Sequence, residues 1–291
     1  MRLAFLGTPE AAVPSLRALV GAGHDVALVI TRPDRRRGRG SEVSSSPVKS
    51  AALDLGLQVG HKLSDLEGLS IERGVVVAYG ALIRASVLET MPMLNVHFSL
   101  LPRWRGAAPV ERAILAGDEV TGVSIMSLEV ELDTGPIHLE RSLRVGEKRV
   151  TELRDELAQL GASSLLEVLA SPELLGYPTV QQGVTTYAEK LTKETFHLVP
   201  TMAQDELLRT VRLERAFTFL NGRRLLVSRA HLGTTSSMTP GHLALVDGDV
   251  CLVAKGATIV LDEVQPEGSK VMSAAAWWAG ARLDAADATW S

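Results

Sequence analysis

The chain has 291 residues, of which 46% are hydrophobic and 22% charged, an ordinary globular composition at a length that suits two cores better than one. A formal charge of −4 excludes a uniformly basic nucleic-acid binder, so any contact with RNA has to come from local basic patches. No stretch approaches the ~20 apolar residues of a membrane span. The apolar run within Met1–Gly7 is too short for a signal-peptide core, so no membrane partner and a cytoplasmic location are expected.

In chain order, Leu3 to Leu6 reads as a short buried strand that ends in a turn at Gly7. A helical stretch over Ser15 to Val20 follows, with Pro14 in its first turn and Gly21 and Gly23 as its stop. Val26 to Thr31 and Val75 to Tyr79 are further apolar runs. Such runs alternating with helices predict a parallel α/β sheet, whose ligands bind beyond the carboxyl ends of the strands. The first loop offers one glycine, Gly7, where a dinucleotide fingerprint needs three, and no phosphate-loop motif occurs. A Rossmann-like sheet without a nucleotide signature implies a different ligand.

Asn95 and His97 lie two residues apart in an apolar run. On a strand, positions i and i+2 share a face, so the amide and the imidazole point at one spot while Leu94, Val96 and Phe98 turn into the core. Farther on, Val150 to Leu169 carries leucines at helical spacing, and Pro172, Gly176 and Pro178 end that pattern. The mostly polar stretch from Gly176 to Thr201 reads as a connector. Leu207 to Phe219 reads as a helix, and Leu225 to Val227, His242 to Val246, Val250 to Val253 and Thr258 to Val264 as short strands of a small β-barrel. Cys251 sits among apolar neighbours as a buried strand residue, and Trp277 and Trp278 anchor the last helix. No Cys-x-x-Cys, His-Glu-x-x-His or clustered His/Cys set occurs, so no metal is expected.

The string Asn95-Val96-His97-Phe98-Ser99-Leu100-Leu101-Pro102, continued by Arg103-Trp104-Arg105-Gly106-Ala107-Ala108-Pro109, and the later Leu132-Asp133-Thr134-Gly135 resemble the signature of the folate-dependent formyltransferases. The likeness extends through Phe5-Leu6-Gly7-Thr8-Pro9-Glu10, Ser46-Pro47-Val48-Lys49, Val77-Ala78-Tyr79-Gly80, Tyr187-Ala188-Glu189-Lys190-Leu191 and Gln265-Pro266-Glu267-Gly268. It implies an α/β fold in which a Rossmann-like parallel-sheet domain (1–178) is followed by a linker (179–203) and an OB-like β-barrel domain (204–291). It implies Asn95, His97 and Asp133 as catalytic residues and Ser99, Leu100, Leu101 and Pro102 as the folate-contacting turn. The implied co-substrate is 10-formyltetrahydrofolate.

Formyl transfer to an amine passes through a tetrahedral carbon bearing an oxyanion, which needs a donor for that oxygen and a group that manages the amine's protons. Asn95 suits the donor. His97 suits either the oxyanion or a proton shuttle, with Asp133 orienting the ring and accepting the amine's proton. A lone Asp-Thr-Gly also marks aspartic proteases, but these need two facing carboxylates and the chain has one copy.

The acceptor implied by the form Arg-Trp-Arg-Gly-Ala-Ala-Pro is initiator methionyl-tRNA, bound by a monomer. Arg35, Arg36, Arg37 and Arg39, in a glycine-punctuated loop, match the tRNA-binding loop of that branch. Residues 201–291 hold nine Lys/Arg against ten Asp/Glu, so the second domain is no basic clamp as a whole. A small amine acceptor, hydrolysis of the formyl-folate, and a non-catalytic RNA-binding role are the rival readings. Two positions depart from the family's pattern: Phe98 replaces a small residue and is expected to face away from the site, and Glu131 replaces a glycine and is expected to project to solvent.

Overall fold

The computed structural model describes residues 1–36, 43–281 and 288–291, and all of their side chains except those of residues 35, 36 and 43. Its contacts divide the chain into two compact units, one of residues 1–110, 119–144 and 153–189, the other of 111–118, 145–152 and 190–291. Among the described residues, no helix is long and apolar enough to cross a membrane.

The first unit is built on seven strands: β1 Arg2–Gly7, β2 Asp25–Ile30, β3 Val59–Gly60, β4 Arg73–Val77, β5 Met93–His97, β6 Val120–Ser127 and β7 Ile137–Arg144. They lie in the order β7-β6-β5-β4-β1-β2-β3. The strands from β1 to β5 pair in parallel, and β6 and β7 join antiparallel at the far side. Leu3, Ala4, Phe5 and Leu6 are all at 0% exposure, which requires cover on both faces and explains why β1 reads as a continuous apolar run. The chain crosses from β3 back past β1 to β4, leaving the switch point characteristic of ligand-binding α/β sheets.

Helix Val13–Gly21 carries Pro14 near its start, and helix Pro47–Asp54 is capped by the Ser46 hydroxyl, which accepts the Lys49 N–H at 3.0 Å. Helix Val150–Ala170 approaches β5 closely, because a Cβ on Gly161 would lie 2.7 Å from Val96 Cγ1. The absent side chain is what lets the helix seat there.

The second unit centres on an antiparallel sheet in the order 217–220, 223–235, 257–266, 249–254, 243–246, with Met272–Ser273 also paired to 257–266. Strand Arg223–Thr235 is irregular at three places along its partner, so one long bent strand replaces the short segment Leu225 to Val227 expected from the sequence. Leu225, Val227, Leu252, Ile259, Trp277 and Trp290 belong to its core. Cys251 on strand 249–254 is fully buried, and burial pushes its thiol up.

The helix expected over Leu207 to Phe219 is shorter. It spans Gln204–Val211, Glu214 adopts a left-handed φ of 62°, and Phe217–Leu220 is a strand paired with 223–226. The turn between them is Asn221-Gly222, both at positive φ, the two-residue hairpin signature that overrides the helical reading.

His138 on β7 is buried. Its Nδ1 donates to the Leu174 carbonyl at 2.8 Å and its Nε2 faces the Ser127 hydroxyl at 2.9 Å, so the neutral ring is satisfied on both sides. Desolvation lowers its pKa below the ordinary 6.5, helped by Arg73 and opposed by the Leu174 bond. The unfolded chain therefore binds the proton first, and the stability held by neutral His138 is present above pH 6.5 and lost as pH falls. The melting temperature is expected to drop on going from about pH 7.5 to about pH 5.5, and to drop less in His138→Gln. Parallel pH dependences in the two proteins would remove His138 from the account.

Candidate active site

Strand β5 sorts its side chains as alternation requires. Asn95 lies opposite Met126 and His97 opposite Ser124 on β6, so these four share one face. Val96 and Phe98 turn to the other face, where they stand nearest the Cβ position of Gly161. Phe98 thus faces away from the site, as its alternation predicts. Asn95 keeps 8% exposure and His97 5%. Among the described residues no hydrogen bond engages the Asn95 amide, while Leu101, Met126 and Ile137 form an apolar cluster beside it. An enclosed amide with free donors suits an oxygen that becomes charged during a reaction.

The His97 ring lies between two partners. Nε2 is 2.9 Å from the Trp104 carbonyl, and a carbonyl only accepts, so Nε2 carries the hydrogen. A neutral ring then presents the Nδ1 lone pair toward Asp133 Oδ2, 3.7 Å away. That gap is too long for a hydrogen bond; a proton arriving at Nδ1 turns it into an attractive ion pair.

Asp133 is 7% exposed and left-handed, with φ at 52°. Its Oδ2 also accepts the Gly106 N–H at 2.7 Å, a charge-assisted bond that fixes the carboxylate near the imidazole. The loop closes tightly at Gly135, where a Cβ would sit 1.9 Å from the Ser127 carbonyl oxygen. Glu129 and Glu131, the other acidic residues of the loop, are both exposed.

The Ser99–Pro102 turn is largely closed. Ser99 is fully buried, with its hydroxyl donated to the Arg103 carbonyl at 2.5 Å, and Leu101 is buried with its N–H on Ser124 Oγ. Leu100 is half-buried, and the Leu101–Pro102 peptide is cis. Arg35–Arg36 form a two-residue ladder with Val43–Ser44; Arg37 and Arg39 lie outside the described residues. Trp104 is half-buried beneath the Arg103 guanidinium, 4.4 Å from its ring centre.

Sequence reasoning missed the backbone partners, Trp104 O and Gly106 N–H, since backbone groups carry no residue signature. It also missed the connector. Trp104 N–H donates to Thr186 Oγ1 at 2.9 Å, Tyr187–Ala188 pairs in parallel with Arg105–Gly106, and Gln181 bonds to both Arg105 and the Asp133 loop. The polar composition of that stretch gave no sign that it lines the site.

A free amide donor beside a buried imidazole and carboxylate suits acyl transfer through an oxyanion, and the comparisons with known proteins give that class a narrower name. Residues 1–169 match the Formyl transferase family and residues 191–282 the Formyl transferase, C-terminal domain. The methionyl-tRNA formyltransferase of Heliobacterium modesticaldum is 41% identical over 97% of this chain and 98% of its own length. That of Mycobacteroides abscessus is 40% identical over 98% of each. The chain belongs to the methionyl-tRNA formyltransferase family. The HypX structure from Aquifex aeolicus in complex with tetrahydrofolic acid superposes with a TM-score of 0.67 at 18% identity, covering 96% of this chain and 47% of HypX, a likeness of fold.

Asn95→Ala is expected to lower kcat by ~10²-fold or more, the scale of one lost oxyanion donor, with the melting temperature unchanged because no protein partner is abandoned. Steady-state kinetics and thermal unfolding check this; near-normal turnover in a folded variant would contradict the site.

Proposed function

We propose that Asn95, His97 and Asp133 carry out the reaction of this family, moving the formyl group of 10-formyltetrahydrofolate onto the amino group of initiator methionyl-tRNA. The uncommitted Asn95 amide on the same strand face as His97 is the observation that carries the reading. When bound, the folate supplies the formyl carbon and the departing N10: attack by the amine forms a new C–N bond, and loss of N10 restores the C=O.

In this reading Asn95 donates to the formyl oxygen as it gains charge. His97 takes the proton role rather than the oxyanion role, because its Nε2–H is already engaged by Trp104. The amine's proton enters the space between Nδ1 and Asp133 Oδ2 and is returned from there to the leaving nitrogen. The buried cluster of Leu101, Met126 and Ile137, with Met126 opposite Asn95, supplies an apolar side to the site. Ser99–Pro102 contribute to the folate site by shaping the turn, since the Ser99 hydroxyl is engaged internally. The reading takes the chain to act as a cytoplasmic monomer, divided into a catalytic domain over 1–178, a linker over 179–203 and a tRNA-binding domain over 204–291.

Two features support a tRNA acceptor. One is the basic stretch of Arg35, Arg36, Arg37 and Arg39 in the sequence. The other is a cation–aromatic cluster in the second unit, where Arg215 lies 4.6 Å from the Phe196 ring centre, Arg224 lies 4.3 Å from that of Phe217, and His197 stacks on Phe217 at 5.1 Å. Phe196 and Phe217 are themselves buried, so it is the exposed guanidinium groups of Arg215 and Arg224, held against those rings, that suit contact with phosphate. Arg209 and Arg212 are engaged with Asp205 and Glu147 instead.

Asp133→Asn is expected to keep folate affinity in calorimetry and to lower transfer by about 10⁴-fold, to a measurable residual rate, because the amide cannot hold the proton; lost affinity with intact chemistry would refute this. Replacing Arg35, Arg36 and Arg37 with alanine is expected to weaken tRNA binding. Its log–log salt slope should flatten by about 0.7 to 0.9 per lost phosphate contact. An unchanged slope and affinity would remove these arginines from the tRNA site and favour a small-amine acceptor.

A further inference from the structure

We propose that Gln181 is a positioning residue for the Asp133–His97 pair, an inference that rests on the catalytic reading above. Gln181 belongs to the polar stretch after helix Pro172–Gly176, outside the signature motifs, and is half-buried. Its amide is fully occupied. Nε2 donates to the Asp133 carbonyl and to the Gly135 carbonyl, each at 2.8 Å. Oε1 accepts from Arg105 Nε at 3.1 Å and from Arg105 Nη2 at 2.6 Å. Both hydrogens and both lone pairs are used, and the orientation is unambiguous, because carbonyls only accept and a guanidinium only donates.

These bonds close a ring around the site. Asp133 Oδ2 accepts the Gly106 N–H, Gly106 follows Arg105, and Arg105 returns to Gln181. Asp133 is thereby held from two directions, at its carboxylate by Gly106 and at its backbone by Gln181. The second hold matters because a non-glycine residue at φ 52° keeps that conformation only when its surroundings enforce it. The same stretch supports the other partner of His97: Thr186 Oγ1 accepts the Trp104 N–H at 2.9 Å, and the Thr186 carbonyl accepts the Arg105 N–H at 2.9 Å. Gln181 is where the Asp133 loop and the Trp104–Gly106 turn are fastened to one side chain.

Releasing that fastening leaves every reacting group in the molecule and lets the carboxylate drift from the imidazole. The effect belongs in kcat, at ~10- to 100-fold, the scale of a displacement of about 1 Å at a reacting centre. KM for folate and for tRNA should stay within about threefold, since Gln181 reaches neither in this reading.

The test measures kcat and both KM values for the full-length protein and for Gln181→Ala, Gln181→Glu, Asp133→Asn and the Gln181→Ala/Asp133→Asn pair, with thermal unfolding of each. Gln181→Glu is nearly isosteric and keeps the acceptor for Arg105, so it holds the connector in place while removing both donors to the loop. It decides the matter if the alanine variant is unstable. The expected result is a fall in kcat in both Gln181 variants at preserved KM, and less than about a twofold further loss when Gln181→Ala is added to Asp133→Asn, because a residue acting through Asp133 has nothing left to position. A kcat near normal in Gln181→Glu, a loss confined to KM, or a full multiplicative loss in the Asp133→Asn background would each overturn the proposal. If Asp133→Asn itself turns over normally, the catalytic reading fails; if it is impaired and Gln181→Glu is normal, only the role of Gln181 fails.

Discussion

One carboxylate oxygen, Asp133 Oδ2, is the point on which the site depends. It takes the Gly106 N–H at 2.7 Å and faces His97 Nδ1 at 3.7 Å, so it links the loop after β6 to the turn after β5. A hydrogen bond to a charged group contributes about 1.5–3 kcal/mol, and a non-glycine residue in the left-handed region costs about 1–3 kcal/mol. Those two nearly offset each other. The loop therefore stays as it is through further restraints, the Gly135 approach to Ser127 and the hydrogen bonds to the two carbonyls flanking Thr134.

The same economy of space governs the strand that carries the amide and the imidazole. Alternation gives β5 a reactive face and a packing face, and the packing face is pressed by a helix that comes close only because residue 161 has no side chain. Asn95 and His97 project from a strand in the interior of a seven-stranded sheet, where Asn95 is paired with a strand on each side and His97 with Ser124 on β6. The arrangement seats the donor amide and the imidazole on a strand, and leaves the carboxylate to be held by the hydrogen bonds of its loop.

Much of this was legible in the sequence, for identifiable reasons. The parallel strands announced themselves because burial on both faces writes an uninterrupted apolar run, and Asn95 and His97 stood out because polar residues at i and i+2 interrupt one. The helix drawn through Phe219 went wrong because Phe217 and Phe219 alternate as well as they follow helical spacing, and Asn221-Gly222 was the stronger signal. The bent strand 223–235 was underestimated, since its irregular pairings break the alternation that reveals a strand. The connector's contribution before Tyr187 stayed invisible because it acts through one amide, one hydroxyl and backbone groups, and none of these produces a periodic or compositional mark.

The central claim is that His97, when neutral, is fixed as the Nε2–H tautomer by the Trp104 carbonyl, with its Nδ1 lone pair turned to Asp133. Nitrogen-15 NMR of the imidazole in the full-length protein tests it most directly, above the pH at which the ring is protonated. The account predicts a protonated Nε2 and an unprotonated Nδ1 for His97, with the pattern unchanged in Asn95→Ala. A protonated Nδ1 would mean that the resting ring already turns an N–H toward Asp133 and has no lone pair there to take the amine's proton, and the proposed route for that proton would be wrong.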